Sequence, residues 1–173
     1  MAQDEVLSLI YPDVRVRVLR VQADMREHHG KQMRACQGLR TWEEQAALYA
    51  KGRTTPGPKV TNAPPGESAH NFGLAVDCCF TGGDPWLDLD KDSKFLWEEY
   101  GKFTRAHGLV WGGDFKSICD RPHGELIYGM SFSDLRDLYG QGKVAAIWAK
   151  CDQIRGIPVA SEWKTLENKL SAL

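Results

Sequence analysis

The sequence has no long apolar run and no excess of charge of either sign. No stretch approaches the roughly 18 consecutive apolar residues of a transmembrane helix. The start, MAQDEVLSLIYPD, lacks the basic, apolar and small-residue succession of a signal peptide. These absences predict a chain that has no membrane anchor and is made in the cytoplasm. The 22 Lys and Arg residues balance the 23 Asp and Glu residues to a net charge of −1, which argues against a nucleic-acid-binding protein.

Cysteine is present in an odd number and without the spacing of a metal or redox motif. The five cysteines include no CxxC pair, which favours reduced thiols in a reducing compartment over a disulfide framework. Cys78 and Cys79 are neighbours on a predicted strand and point to opposite faces. We therefore interpret them as packing residues rather than as ligands of one metal ion.

The residue patterns predict an α+β fold, a single domain with a small, mainly antiparallel sheet flanked by helices. The 173 residues, 42% of them hydrophobic, are enough for one core. Predicted helices cover 14–28, a stretch after the Thr41 and Glu44 capping box, 92–107, and three segments from Ser131 onward, the last being SEWKTLENKL. Predicted strands cover 31–38, 74–80, 109–111 and 124–128. Helices and strands do not alternate regularly, which excludes a parallel α/β sheet. We predict one domain over 1–173, with a motif-bearing core at about 15–130 and a helical part at 131–173.

A long loop precedes the most unusual strand. Residues 53–67, RTTPGPKVTNAPPGE, contain four prolines and two glycines, which no regular element tolerates. Loops of this length in compact domains are often functional. This loop runs directly into SAHNFGLAVDCCF, so we expect it to form a wall of an active site.

The carboxylate of Asp77 falls inside a strand of apolar residues. A buried charge is costly unless a partner or a metal compensates it. Of the five histidines, His28, His29 and His107 lie near polar helix ends and are interpreted as solvated surface residues. His70 and His123 lie instead beside turns at the edges of predicted strands.

Two histidines and one carboxylate are the protein ligands of a catalytic zinc site, which keeps one position open. The set His70, Asp77 and His123 would leave Asp120 free as a general base, three residues from a ligand. The spacing alone leaves two interpretations open, a metal site or a pair of hydrogen-bonded structural histidines.

Two motifs resemble a family of zinc peptidases. They are S-x-H-x-x-G-x-A-x-D at 68–77 and D-x-P-H at 120–123. Together with their flanking segments, they closely resemble the zinc D-Ala-D-Ala carboxypeptidase and L-alanyl-D-glutamate peptidase family over roughly residues 15–130. The resemblance is greatest to the L-alanyl-D-glutamate endopeptidase branch, which includes phage endolysins. It implies a hedgehog/D-Ala-D-Ala peptidase-like fold.

The resemblance also implies roles for individual residues. His70, Asp77 and His123 correspond to the family's zinc ligands, and Asp120 to its catalytic base. Arg40, in QGLRT, occupies the position of the arginine that holds the scissile carbonyl oxygen as it becomes an oxyanion. A surface salt bridge is the alternative interpretation of Arg40.

Three further positions have open interpretations. Ser68 orients a ligand or contacts substrate, or it caps a turn. Glu125 orients His123, or it is a polar strand residue. Relatives often have an aromatic residue after the second histidine, where this chain has Gly124, and we expect this difference to alter the shape of the substrate cleft.

A calcium loop is a further hypothesis. Asp88, Asp90, Asp92 and Glu99 stand at the first, third, fifth and twelfth positions of such a loop. The sixth position is Ser93 instead of glycine. An acidic, solvated loop before a helix is the alternative.

The function predicted from the sequence is that of a zinc metallopeptidase cleaving the L-Ala-D-Glu bond of peptidoglycan stem peptides. We expect a monomeric phage endolysin that stays in the host bacterial cytoplasm until it is released to the cell wall. A D-Ala-D-Ala carboxypeptidase is the alternative within the hydrolases. An inactive zinc-containing module that binds the cell wall is the alternative outside them.

Overall fold

The structure is a computed structural model that describes residues 2–81 and 91–156, with the side chains of 91–93 left out. Within these residues it has α-helices and one sheet, together with two short 3₁₀ helices at Ala69–Phe72 and Gly112–Asp114. The α-helices are α1 (Gln3–Ser8), α2 (Pro12–His29), α3 (Trp42–Ala50), α4 (Lys91–Ala106) and α5 (Phe132–Arg155). The strands are β1 (Met33–Gln37), β2 (Ala75–Phe80), β3 (Val110–Trp111) and β4 (His123–Glu125).

Local sequence signals explain where the helices begin and end. Pro12 opens α2, where its missing N–H costs nothing, and Gly30 ends it in the left-handed conformation at φ 63°. The predicted capping box of α3 is present, since Thr41 accepts from the Glu44 N–H and the Glu44 side chain accepts from the Thr41 N–H. The predictions of these two helices and of α4 are confirmed.

The four strands form one antiparallel sheet in the order β1-β2-β4-β3. The register of β2 against β4 places Asp77 directly opposite His123. In β1, the register shifts between Ala35 and Gln37, so that Gln37 also lies opposite Asp77. The predicted fold class, helices around a small antiparallel sheet, is confirmed.

The two faces of the sheet have different surroundings. On one face, Cys78 contacts Gln22 of α2, and Phe80 packs against Trp97 of α4. Alternate residues of a strand point to opposite faces, so Asp77 projects to the other face. Helices α2 and α4 therefore cover one side, and the other side is left for polar side chains.

Hydrogen bonds from buried and half-buried aromatic residues join α5, α2 and the segments between them. Trp148 Nε1 donates to the Phe72 carbonyl at 3.1 Å, and Tyr11 Oη donates to the Asp152 carboxylate. Tyr128 Oη donates to buried Asp13 at 2.6 Å. The core is one cluster of buried apolar residues drawn from the sheet and from α1, α2, α4 and α5, with Trp42 of α3 packed against it. Since residues 157–173 lie outside the described part, the single domain over 1–173 stays a prediction.

Two predictions of local structure are wrong, and one lies outside the described residues. The strand predicted over 124–128 stops at Glu125, because the chain turns at Tyr128 and Gly129, with φ 55° and 74°. The expectation of unpaired thiols fails for Cys36 and Cys79, which form a disulfide between β1 and β2. The helix predicted from SEWKTLENKL falls within the residues that are not described. In the described ranges, no helix is long and apolar enough to cross a membrane.

Candidate metal centre

The first 3₁₀ helix carries His70 to the polar side of the sheet. As predicted, residues 53–67 contain no helix or strand, and this loop leads into Ser68 and Ala69–Phe72. Gly73 ends the 3₁₀ helix at φ 67°, a conformation that suits glycine, and the chain then enters β2. This short reversal brings His70 beside Asp77.

Three side chains, His70, Asp77 and His123, converge at one point. His70 Nε2 lies 3.1 Å from Asp77 Oδ1 and 3.1 Å from His123 Nδ1, and His123 Nδ1 lies 3.1 Å from the same Asp77 oxygen. All three residues are buried. Two ligands of a tetrahedral zinc ion are separated by about 3.3 Å, given zinc–nitrogen distances of roughly 2.0–2.1 Å. The group therefore has the spacing of a metal site.

The hydrogen bonds made by the outer ring nitrogens of His70 and His123 determine whether the inner nitrogens are hydrogen-bond donors or acceptors. His70 Nδ1 lies 2.7 Å from the Gly38 carbonyl, which only accepts, so Nδ1 carries the hydrogen. His123 Nε2 lies 2.9 Å from the Glu125 carboxylate and donates to it in the same way. In their neutral forms both rings then present a lone pair to the Asp77 oxygen. Three acceptors facing one another require a cation, which is the donor set expected of a metal site.

The electrostatics of the cluster favour positive charge at its centre. Burial alone raises the pKa of Asp77, but the charge and hydrogen bonds of His70 and His123 outweigh burial and place this pKa well below its usual range. Burial lowers the pKa of His123, but hydrogen bonds to Asp77 and Glu125 outweigh burial. The net effect raises this pKa above that of an ordinary histidine, to about 10. The cluster thus favours a positive charge between Asp77 and the two histidines.

Asp120 lies at the rim of the cluster, in the turn before β4. Its backbone N–H donates to the Gly112 carbonyl at 2.9 Å, and its own carbonyl accepts from the His123 N–H at 3.2 Å. A Cβ on Gly112 would stand 2.3 Å from the Asp120 carbonyl oxygen, so the turn packs this closely only against glycine. Burial, followed by the charge of Asp77, raises the pKa of the Asp120 carboxyl above its ordinary value.

Arg40 is buried beside the cluster, which excludes the surface salt bridge as its role. Its guanidinium donates to Gln45 Oε1 at 2.7 Å and to Gln37 Oε1 at 2.6 Å, and Nη2 lies 3.7 Å from Asp77 Oδ2. Burial lowers the pKa of Arg40, and the charges of Asp77 and Asp120 oppose that effect. Its Nε is buried and has no hydrogen-bond partner among the described residues. Arg40 therefore holds a fixed cation with an unused donor next to the three convergent side chains.

The surroundings of Ser68, Glu125 and Gly124 distinguish between the interpretations of these positions. Ser68 precedes the 3₁₀ helix without a side-chain cap hydrogen bond, so the turn-capping interpretation is not supported. Glu125 contacts His123 directly, which favours the orienting role. Gly124 faces Thr104, Leu109 and Tyr100 on the helix side of the sheet. A side chain at Gly124 would therefore enter the core and not the side of the sheet that carries the three convergent residues.

Sequence reasoning missed the two glutamines and the glycine that hold the site in place. Gln45 is fully buried on α3, where it accepts from Arg40 and donates to the Ala63 carbonyl at 2.7 Å. Gln37 accepts from Arg40, and Gly38 accepts from His70. The only signal in the sequence is their proximity to Arg40, which does not distinguish them from surface residues.

The calcium hypothesis gains no support. Asp88 and Asp90 and the side chain of Asp92 lie outside the described residues. Glu99 is described, and it accepts from His29 Nε2 at 3.0 Å and from Lys102 at 3.4 Å.

Comparisons with known proteins agree with the motifs. Residues 61–126 match the family model described as D-alanyl-D-alanine carboxypeptidase, a range that includes the three convergent residues and Asp120 but not Arg40. Over 97 residues the chain is 39% identical to the peptidoglycan L-alanyl-D-glutamate endopeptidase CwlK of Bacillus subtilis (strain 168). That alignment covers 53% of this chain and 58% of the relative, so the chain spans less than two thirds of the curated relative's length.

Two solved structures are similar to the chain at low sequence identity. One is the Serratia marcescens L-Ala D-Glu endopeptidase ChiX, at 24% identity and a TM-score of 0.48, covering 77% of this chain and 89% of that chain. Another is the vancomycin resistance D,D-pentapeptidase VanY in complex with Zn(II), at 19% identity and a TM-score of 0.44, covering 78% and 80%. The family match confirms the predicted resemblance, and the phage branch stays a prediction.

Proposed function

Because residues 61–126 match the D-alanyl-D-alanine carboxypeptidase family, we propose that this chain is a zinc-dependent peptidoglycan endopeptidase that cleaves the L-Ala-D-Glu bond of stem peptides. The observation that carries the proposal is the convergence of three buried acceptor atoms, each 3.1 Å from the other two. Arg40 Nη2 contacts Oδ2 of Asp77 at 3.7 Å, and not the Oδ1 atom at which the two histidines meet.

His70, Asp77 and His123 would hold the zinc ion. Zinc fits two imidazole nitrogens and one carboxylate, and a site with three protein ligands leaves a position for water or substrate. When bound, zinc supplies Lewis-acid activation of water and of the scissile carbonyl. Gly38 and Glu125 fix the ring orientations by accepting hydrogen bonds from the outer nitrogens.

Asp120 and Arg40 perform the remaining chemistry in this proposal. The Asp120 carboxylate accepts a proton from the attacking water and then delivers it to the leaving amine, which is the work of a general acid–base. The raised pKa of Asp120 suits this exchange better than that of an ordinary aspartate. Arg40 donates to the scissile oxygen as negative charge develops there, from a guanidinium already held in place by Gln37 and Gln45.

The choice of the L-Ala-D-Glu bond is supported by the relative that is 39% identical. The test is mass spectrometry of purified peptidoglycan after digestion, with and without a chelator, followed by added zinc. We expect stem peptides with a new D-Glu N-terminus, lost with the chelator and restored by zinc. The release of D-Ala alone would overturn the proposed endopeptidase activity. It would support a D-Ala-D-Ala carboxypeptidase, which is the description of the matched family. Bound zinc without any product would support a binding module.

We also propose that the biological role is host cell lysis by a bacteriophage, with the enzyme held in the host cytoplasm until it reaches the wall. Cleavage of stem peptides breaks the cross-linked wall and so provides an activity sufficient for such lysis. Expression in a Gram-negative host, with and without a co-expressed pore-forming protein, tests this role. We expect lysis only when the pore-forming protein is co-expressed. Equal lysis without it would contradict the proposed role but not the peptidase activity.

A further inference from the structure

A cavity of about 610 Å³ lies between the start of α3 and the middle of α5. Arg40 and Asn71 line it on one side, and Arg136, Tyr139 and Lys143 line it on the other. Arg40 also lies 3.7 Å from Asp77, and Asn71 follows His70 in the chain. The cavity is therefore adjacent to the candidate metal centre, and Arg40 belongs to both. None of the roles proposed above uses the cavity.

The wall of the cavity contains aromatic rings and an unused hydrogen-bond donor. The rings of Trp42 and Tyr139 lie 5.3 Å apart, with 32° between their planes. Trp42 Nε1 is buried and has no hydrogen-bond partner among the described residues. The two rings therefore give the cavity an apolar wall beside its charged residues.

The charges of the lining indicate the sign of that ligand. Arg40, Arg136 and Lys143 are the cations of the lining and Glu43 is its anion, while Asp77 and Glu67 contact Arg40 and Arg136 from outside the lining. Arg136 donates to the Gly66 carbonyl at 3.2 Å and contacts the half-exposed Glu67 at 3.4 Å, which uses part of its five-donor fork. The cavity therefore favours an anion with hydrogen-bond acceptors.

The backbone holds Lys143 at the cavity in an uncommon conformation. Gly142 and Lys143 interrupt α5, and Lys143 has φ 57° and ψ −149°, a region that residues with a Cβ rarely adopt. Its Nζ lies 4.7 Å from the centre of the Tyr139 ring. A regular helix would not place the residue in this way, and such strain is found where function requires a fixed side chain.

We propose that this cavity binds a free carboxylate on the D-Glu side of the stem peptide, an inference that rests on the proposed function. A glutamyl residue has two carboxyl groups and uses one to continue the peptide. The other stays ionised, at a short distance from the bond that is cut. Arg136 and Lys143 receive this carboxylate, and Trp42 and Tyr139 pack against the aliphatic part of the peptide.

The experiment compares two stem peptides, one with the free D-Glu carboxylate and one in which it is an amide. Binding is measured by calorimetry on the zinc-loaded Asp120→Asn variant, and cleavage is measured on the active chain. We expect the acid to bind about tenfold more tightly than the amide. Replacing both Arg136 and Lys143 by alanine should remove this preference by raising KM for the acid about tenfold while kcat is retained.

Two further variants are the controls. Lys150→Ala removes a charge from the same helix, at a side chain that contacts Gln153 at 2.8 Å and does not line the cavity, and it should leave the preference intact. Gly140→Leu should weaken both peptides, because Gly140 lines the cavity and a Cβ there has no atom within 4 Å.

The outcomes separate this inference from the proposed function. Equal binding of acid and amide, or an unchanged preference in the double variant, overturns the carboxylate site even if the peptides are cleaved. A kcat loss on both peptides without a KM change likewise overturns it. A preference for the acid without cleavage supports the carboxylate site and overturns the endopeptidase.

Discussion

Glu125 offers the sharpest test of how the metal centre is held. Its Oε2 accepts from His123 Nε2 at 2.9 Å, and its side chain is only 16% exposed, so solvent screens the interaction weakly. Partners of this kind change metal affinity by about 10–100-fold when removed, which corresponds to about 1.4–2.7 kcal/mol. We expect Glu125→Gln to weaken zinc binding about tenfold, because the amide still accepts but has lost its charge. Glu125→Ala should weaken it about 100-fold.

The assay is competition for zinc against a fluorescent chelator, with circular dichroism to establish that each variant is folded. The chain offers a matched control in Glu99, which accepts from His29 Nε2 at 3.0 Å and lies outside the metal cluster. Glu99→Gln removes the same kind of charge from the same kind of pair. Its zinc affinity should equal that of the unaltered chain.

Two results would refute this reasoning. If Glu125→Gln binds zinc within twofold of the unaltered chain, Glu125 does not orient His123 towards the metal. If Glu99→Gln weakens zinc binding as much as Glu125→Gln does, the effect comes from the general stability of the fold.

Three other predictions concern catalysis and stability. Asp120→Asn should lower the rate of stem-peptide hydrolysis by about 10²–10⁴-fold with an unchanged zinc content, measured by elemental analysis; near-normal turnover would exclude Asp120 as the base. Arg40→Ala should lower kcat by about 10²–10³-fold, and a change confined to KM would instead show that Arg40 only binds substrate. Tyr128→Phe should lower the free energy of unfolding in urea by about 1.5–3 kcal/mol, because its hydroxyl donates at 2.6 Å to buried Asp13; an unchanged midpoint would show that Arg17 and Arg155 suffice for that carboxylate.

The parts of the fold that the sequence predicted well are those with local causes. The helix that begins after Thr41 follows from two side chains three residues apart, which cap each other whatever the rest of the chain does. The prediction that His70, Asp77 and His123 belong together had a different basis. A carboxylate in an apolar strand requires a compensating partner, and the resemblance of the two motifs to zinc peptidases then implied that His70 and His123 share a metal ion with it.

The parts that were predicted poorly depend on pairing between distant segments. Leu126, Ile127 and Tyr128 have the composition of a strand, yet they leave the sheet after Glu125 and pack partly buried against the core. Tertiary packing here overrides β-propensity. The orientation of Gly124 likewise follows from the register of β4 against β2, which no single stretch of sequence specifies.

The disulfide shows why counting cysteines was insufficient. Cys36 stands at the register shift of β1, between Ala35 and Gln37, and this places it beside Cys79 of β2. The remaining cysteines, Cys78, Cys119 and Cys151, are unpaired. An odd number of cysteines means that at least one has no disulfide partner within the chain. The number does not show whether the other four form disulfides, because that depends on the distance between the two cysteines of a pair in the folded chain.

The segment from Gln37 to Thr41 links the metal centre to the neighbouring cavity. Gly38 accepts from His70, the Arg40 backbone N–H donates to the His70 carbonyl at 3.0 Å, and the Asn71 side chain donates to the carbonyls of Arg40 and Thr41. Thr41 then starts α3, whose first turn forms a wall of the cavity. Any displacement of this segment would move the His70 ring and the Arg40 guanidinium together. The same few hydrogen bonds therefore fix His70 relative to Arg40 and to the first turn of α3, which lines the cavity.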